Sequence, residues 1–113
     1  MEEFFCQVYT GVFSGWQQSY IRLEKTSIQI FTKNKANKMD KKSLQEFRYN
    51  LFKVEDEDKS KKDLYIITND KKNKITFKFD EVGKKYEFYA RLTSVQYSFQ
   101  LRSHLSDYYL KME

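Results

Sequence analysis

The sequence predicts a mainly β domain of about seven antiparallel strands, followed by one C-terminal α-helix. Three observations carry that reading. Short apolar runs alternate with polar residues at period two through residues 4–79. After Asp80 the period changes, and Phe88, Leu92, Val95 and Phe99 recur at i, i+4, i+7 and i+11, one narrow stripe of a helix. The 113 residues, with 10 Phe, 9 Tyr and 1 Trp, fit a single domain over 1–113. A chain of that length buries roughly 65% of its unfolded surface, enough for a core without disulfides.

The elements follow in order. Residues 4–13 are β-rich, with Gly11 at a candidate bulge. Residues 19–24 place Ile21 and Leu23 on one face and Tyr20 and Arg22 on the other. Residues 27–32 bring Ile28 and Ile30 together, and Lys25-Thr26 reads as a tight hairpin turn without glycine. Residues 43–49 and 51–54 are weaker strand signals. Residues 63–68 and 75–79 are strong ones, joined by the polar loop 69–74. Asp80 suits a helix N-cap and Glu81 the positive end of the helix dipole. Gly83 weakens the first turn by ~1 kcal/mol relative to Ala. The helix is expected over 81–102, ~33 Å long, leaving 103–113 as a tail. An open antiparallel sheet needs such a helix to cover one face.

Composition sets several classes aside. Cys6 is the only cysteine, so an internal disulfide and a Cys-based zinc site are both excluded. That points to a reducing, cytoplasmic compartment. No apolar stretch nears the ~20 residues of a membrane span. The opening Met-Glu-Glu-Phe-Phe lacks the basic flank and apolar run of a signal peptide, and Gly at position 2 for myristoylation. Three glycines and no proline leave no phosphate-cradling loop.

The order of elements resembles a pleckstrin homology (PH) domain. Trp16-Gln17-Gln18-Ser19-Tyr20-Ile21-Arg22-Leu23 followed by Ile28-Gln29-Ile30-Phe31 is similar to that family's second and third strands. Gly11-Val12-Phe13 resembles the first strand. Gly15-Trp16-Gln17 resembles the start of the second strand in oxysterol-binding and ceramide-transfer PH domains. Leu64–Thr68 and Ile75–Phe79 resemble the sixth and seventh strands. The resemblance spans residues 7 to about 100 and rests on order and spacing. It implies a seven-stranded bent sandwich, or partly open barrel, capped by the helix. It also implies a non-catalytic module that meets membranes or proteins.

Two positions depart from the family pattern. Phe88 stands where the family has its helix tryptophan. No Lys or Arg precedes Arg22, and Thr10, Ser14, Gln17, Gln18 and Ser19 hold the places where phosphoinositide binders carry cations. A tight inositol phosphate site is therefore not expected.

Net charge is +5, from 21 Lys+Arg against 16 Asp+Glu. Lys33, Lys35, Lys38, Lys41 and Lys42 fall in the expected loop after the third strand, and Lys71, Lys72 and Lys74 in the loop after the sixth. Both loops are expected at the end where PH domains meet membranes. Diffuse attraction to anionic lipid is one reading; a solvated lysine-rich face is the plainer one. Nucleic acid is disfavoured, because the basic residues form no single stripe and Glu55-Asp56-Glu57-Asp58 interrupts them.

Opposite the core stripe, Tyr86, Ala90, Thr93, Tyr97 and Leu101 share the outer helix face. Aromatic residues there are candidate anchors for a protein partner or a second copy of the chain. The competing reading has the tail, with Leu105, Tyr108, Tyr109 and Leu110, fold back over them. No catalytic constellation, metal set or cofactor motif stands out. His104 is the only histidine, the acidic block 55–58 reads as a solvated loop without EF-hand spacing, and Cys6 reads as a buried thiol. The expected role is that of a scaffold or adaptor in the cytoplasm, at the inner face of a membrane or on a cytoskeletal assembly.

Overall fold

In the computed structural model, β1 (Glu2–Tyr9) is the central strand of one antiparallel sheet. The structure describes residues 2–9, 15–32 and 45–112, with side chains for 3–9, 15–32 and 45–106. The other strands are β2 (Gln17–Leu23), β3 (Ser27–Thr32), β4 (Gln45–Arg48), β5 (Phe52–Glu55), β6 (Asp63–Thr68) and β7 (Lys74–Lys78). Their order across the sheet is β4-β3-β2-β1-β7-β6-β5, so the sheet stays open between β4 and β5. A 3-10 turn, Tyr49–Leu51, crosses that opening. Helix α1 (Val82–Met112) packs over the turn and against β6.

Period-two patterning places the core as expected. Ile21 and Leu23 of β2, Ile28 and Ile30 of β3, Leu64 and Ile66 of β6, and Ile75 and Phe77 of β7 are all buried. Phe88 and Leu92 of α1 are fully buried, Phe99 nearly so, and Val95 packs at the rim. Phe88 fills the tryptophan place by aromatic packing: Phe4, Phe77 and Phe79 lie at ring distances of 5.1, 5.2 and 5.1 Å. The Lys25-Thr26 turn forms without glycine, closed by the Glu24 N–H donating to the Ser27 carbonyl at 2.9 Å.

Four boundaries differ from expectation. β1 runs over residues 2–9 rather than 4–13; residues 10–14, including Gly11, lie outside the described residues. Of the 43–49 signal, 43–44 lie outside the described residues and 45–48 form a strand that stops there, because Tyr49 turns inward to become fully buried and donates its hydroxyl to the Glu24 carbonyl at 2.5 Å. The helix N-cap is Glu81 rather than Asp80, since the Glu81 carbonyl accepts from Lys84 and Lys85 at 3.1 and 3.3 Å. Most consequentially, residues 103–112 are not a tail but the last turns of a 31-residue helix. They contain no Gly or Pro, and adding residues to an existing helix lacks the cost of nucleation.

Candidate functional site

The outer face of α1 is open. Tyr97 is 66% exposed, Leu101 45%, Leu105 44% and Tyr86 41%, and Ala90 is exposed beside them. Because the chain continues as helix, residues 103–106 do not fold back over this face, and Leu105 and His104 extend it instead. Tyr108, Tyr109 and Leu110 lie in the same helix, their side chains outside the described ones. From Gln100 through Ser106 every side chain is exposed, so the helix leaves the sheet after Phe99. Two of the five outer residues also serve the fold. Tyr86 donates its hydroxyl to the Lys59 carbonyl at 2.5 Å, and Thr93 donates to the Tyr89 carbonyl at 2.7 Å.

Of the eight lysines, Lys33, Lys35, Lys38, Lys41 and Lys42 lie outside the described residues. Lys71 and Lys72 are exposed in the β6–β7 turn. That turn is organised by Asp70, whose carboxylate accepts from the Thr68 hydroxyl at 2.6 Å and the Lys72 N–H at 3.0 Å. Those bonds hold the Asp70 carboxyl below its usual range, so it stays charged beside the lysines. Lys74 belongs to β7 rather than the loop, and its ammonium sits 4.2 Å from the centre of the Tyr65 ring. The register puts this turn at the Tyr9 end of the sheet, with the start of β2 and the end of β3. Trp16 stands at the same end, 42% exposed. It follows Gly15, whose φ of +81° favours glycine. Tyr9 packs on Trp16 at 5.6 Å and Lys78 on its ring at 5.5 Å.

Two polar residues missed by the sequence reading tie the helix down. Lys85 is fully buried; its ammonium donates to Asp56 Oδ1 at 2.9 Å and to the Asp58 and Lys59 carbonyls at 3.2 and 3.4 Å. The acidic block is thus not simply a solvated loop, since the Asp56 side chain is only 5% exposed. Gln96 donates to the Tyr49 and Phe52 carbonyls at 2.8 and 2.9 Å, fastening α1 to the turn that bridges the open side. A signal existed for both. Lys85 lies three residues before Phe88, and Gln96 four after Leu92, on the apolar stripe itself.

Seven antiparallel strands in an open sheet, with one helix after the last strand, match solved structures. Against a structure of Vav1 bound to an allosteric inhibitor, the TM-score is 0.67 at 14% identity, covering 84% of this chain and 26% of that one. Against the PH domain from TgAPH it is 0.63 at 16% identity, covering 81% and 79%. The fold is that of a PH domain. A third structure, human RhoA in complex with the DH/PH fragment of PDZRHOGEF, matches with TM-score 0.63 at 11% identity, over 84% of this chain and 28% of that one. At these identities the likeness extends to the fold alone. The chain spans about a quarter of the Vav1 and RhoA-complex chains it matches. No family model matches the chain, and no curated protein matches it in sequence.

Within the PH fold, the cation-poor first two strands acquire a geometry. Gln17 and Gln18 of β2 face Val8 and Gln7 of β1, so the start of β2 carries neutral amides. Arg22 is at the far end of β2. It lies 3.7 Å from carboxylate oxygens of both Glu3 and Glu24, and near the Tyr20 and Phe31 rings. Lys78 of β7 is the cation that the register brings beside Gln7, a placement unreadable without strand pairing. Among the described residues, no group of three or more His, Cys, Asp or Glu is placed to hold a metal ion. No helix among them is long and apolar enough to cross a membrane.

Proposed function

We propose that this chain is a non-enzymatic PH-like interaction module that binds a protein partner through the outer face of α1. Tyr97 and Leu101 are the anchors, Ala90 permits close approach, and Tyr86 forms the edge nearest the sheet. One observation supports this above the others: an aromatic side chain 66% exposed at the middle of a helix whose opposite face carries the core. Tyrosine brings large apolar area, a polar tip and little rotamer entropy to lose. The expected setting is a scaffold or adaptor assembly in the cytoplasm.

Truncating an anchor of this kind typically costs 2 kcal/mol or more in binding. Tyr97→Ala should therefore weaken association at least about thirty-fold. The fold should lose no more than about 0.5 kcal/mol, because the side chain makes no core contact. Pull-down followed by calorimetry measures the first, and analytical ultracentrifugation tests a second copy of the chain as the partner. Binding intact beside a large loss of stability would refute the assignment.

A second reading rests on the register, which gathers the Lys71-Lys72 turn and the end of β3 at one end of the sheet. A lysine-only surface there suits weak attraction to an anionic membrane without headgroup selection. Such binding fades as salt rises; an aromatic helix interface does not.

A further inference from the structure

The β2–β3 turn and the departing end of α1 border a shallow, largely open cleft of about 440 Å³, lined by Lys25, Thr26, Phe99, Arg102, Ser103 and Ser106. Arg102 donates one N–H to the Lys25 carbonyl at 3.3 Å, tying the turn to the helix and setting the cleft's width. The Arg48 guanidinium lies 5.8 Å from the centre of the Phe99 ring, so a third cation borders the same aromatic floor. Among the described residues, none of Lys25, Arg48 and Arg102 forms an ion pair. Two described carboxylates near the turn have other partners as well. Glu24 faces Arg22; Glu46 accepts from the Ser27 hydroxyl at 3.0 Å and the Gln29 amide at 2.6 Å, and the Arg48 charge also acts on it, so Arg48 reaches the cleft already partly balanced. The cleft is at the Glu2 end of the sheet, opposite the Lys71-Lys72 turn.

We propose that this cleft binds a phosphorylated peptide segment of a partner protein. Two guanidinium forks and an ammonium supply the charge that a phosphoryl dianion requires, and guanidinium geometry matches phosphate oxygens in pairs. The hydroxyls of Thr26, Ser103 and Ser106 supply neutral donors. The volume lies in the range of small-ligand sites, room for a few residues. A lipid headgroup fits less well. The helix runs on six residues past Ser106, ~9 Å at 1.5 Å per residue, and would meet a flat bilayer before the cleft did.

The test is an amide NMR titration of the full chain with three probes. These are inorganic phosphate, a glycine-rich pentapeptide centred on phosphoserine, and the same peptide unphosphorylated. Vesicles of mixed phosphatidylcholine and phosphatidylserine form a separate sedimentation arm. Phosphate should shift Thr26, Arg102, Ser103 and Ser106, and the phosphopeptide should bind at least about tenfold tighter than its unphosphorylated twin. Arg48→Gln should weaken the phosphopeptide about tenfold. Ser103→Glu, which leaves the Arg102 tether in place, should do the same with the melting temperature unchanged. Equal binding of the two peptides, or no saturable shift in the cleft at ten-millimolar phosphate, overturns the proposal. So does vesicle binding that Ser103→Glu abolishes, which would assign the cleft to lipid.

Discussion

Lys85→Met removes a charge while keeping most of the side-chain volume, and its consequences follow from three distances. The buried ammonium has three N–H groups and three acceptors, Asp56 Oδ1 at 2.9 Å and the Asp58 and Lys59 carbonyls at 3.2 and 3.4 Å. Methionine can donate to none of them. The Lys59 carbonyl keeps the Tyr86 hydroxyl as a donor, so the cost concentrates on Asp56, whose side chain is only 5% exposed. Leaving a buried carboxylate unpaired typically costs about 3–5 kcal/mol. Unfolding entropy near 2.1 cal/mol/K per residue gives roughly 240 cal/mol/K for this chain, so the melting temperature should fall by roughly 12–20 °C. Urea unfolding followed by far-UV circular dichroism reads the loss as a lower midpoint at constant slope. Asp56→Asn added to Lys85→Met should recover at least about 1 kcal/mol, because the uncompensated charge goes with it. A single-variant loss below about 1 kcal/mol, or no recovery in the double variant, would refute the view that this pair fastens the acidic loop to the helix.

Phe88→Ala should cost about 3–5 kcal/mol by the same assay, since it empties a fully buried site contacted by three other rings. Burial pushes the Cys6 thiol up to about 12 from the ordinary 9.0, so iodoacetamide at pH 8 should label the unfolded chain and spare the native one. The sign follows: the thiolate is disfavoured only in the folded state, so this contribution to stability is full below pH ~9 and is lost as pH rises toward 12. A soluble inositol polyphosphate titrated by calorimetry at physiological salt should show no saturable micromolar binding, because amides rather than cations occupy the start of β2. A tight stereoselective isotherm would contradict that.

Strand and helix placement was largely legible because both periodicities are local. Ile21, Leu23, Ile28 and Ile30 announce their shared face by spacing alone, and Phe88, Leu92 and Phe99 announce a helix face. The outer stripe of Tyr86, Ala90, Tyr97 and Leu101 was legible for the same reason, as the complement of the core stripe. The end of the helix was misplaced because amphipathicity stops at Phe99, where the sheet stops, while the backbone continues. Burial in the core ends there; helix propensity does not.

What the sequence by itself determined is the fold class, the strand faces and the orientation of α1, since each depends on residues within a few positions of one another. Only the tertiary structure decided which distant groups meet. Asp56 and Lys85 are 29 residues apart, Arg102 and Lys25 are 77 apart, and Gln96 reaches carbonyls 44 and 47 positions upstream. Such pairs leave no periodic trace. They arise where the open sheet, the bridging turn and the helix close on one another, and chain folding alone brings their charges and hydrogen-bonding groups within reach.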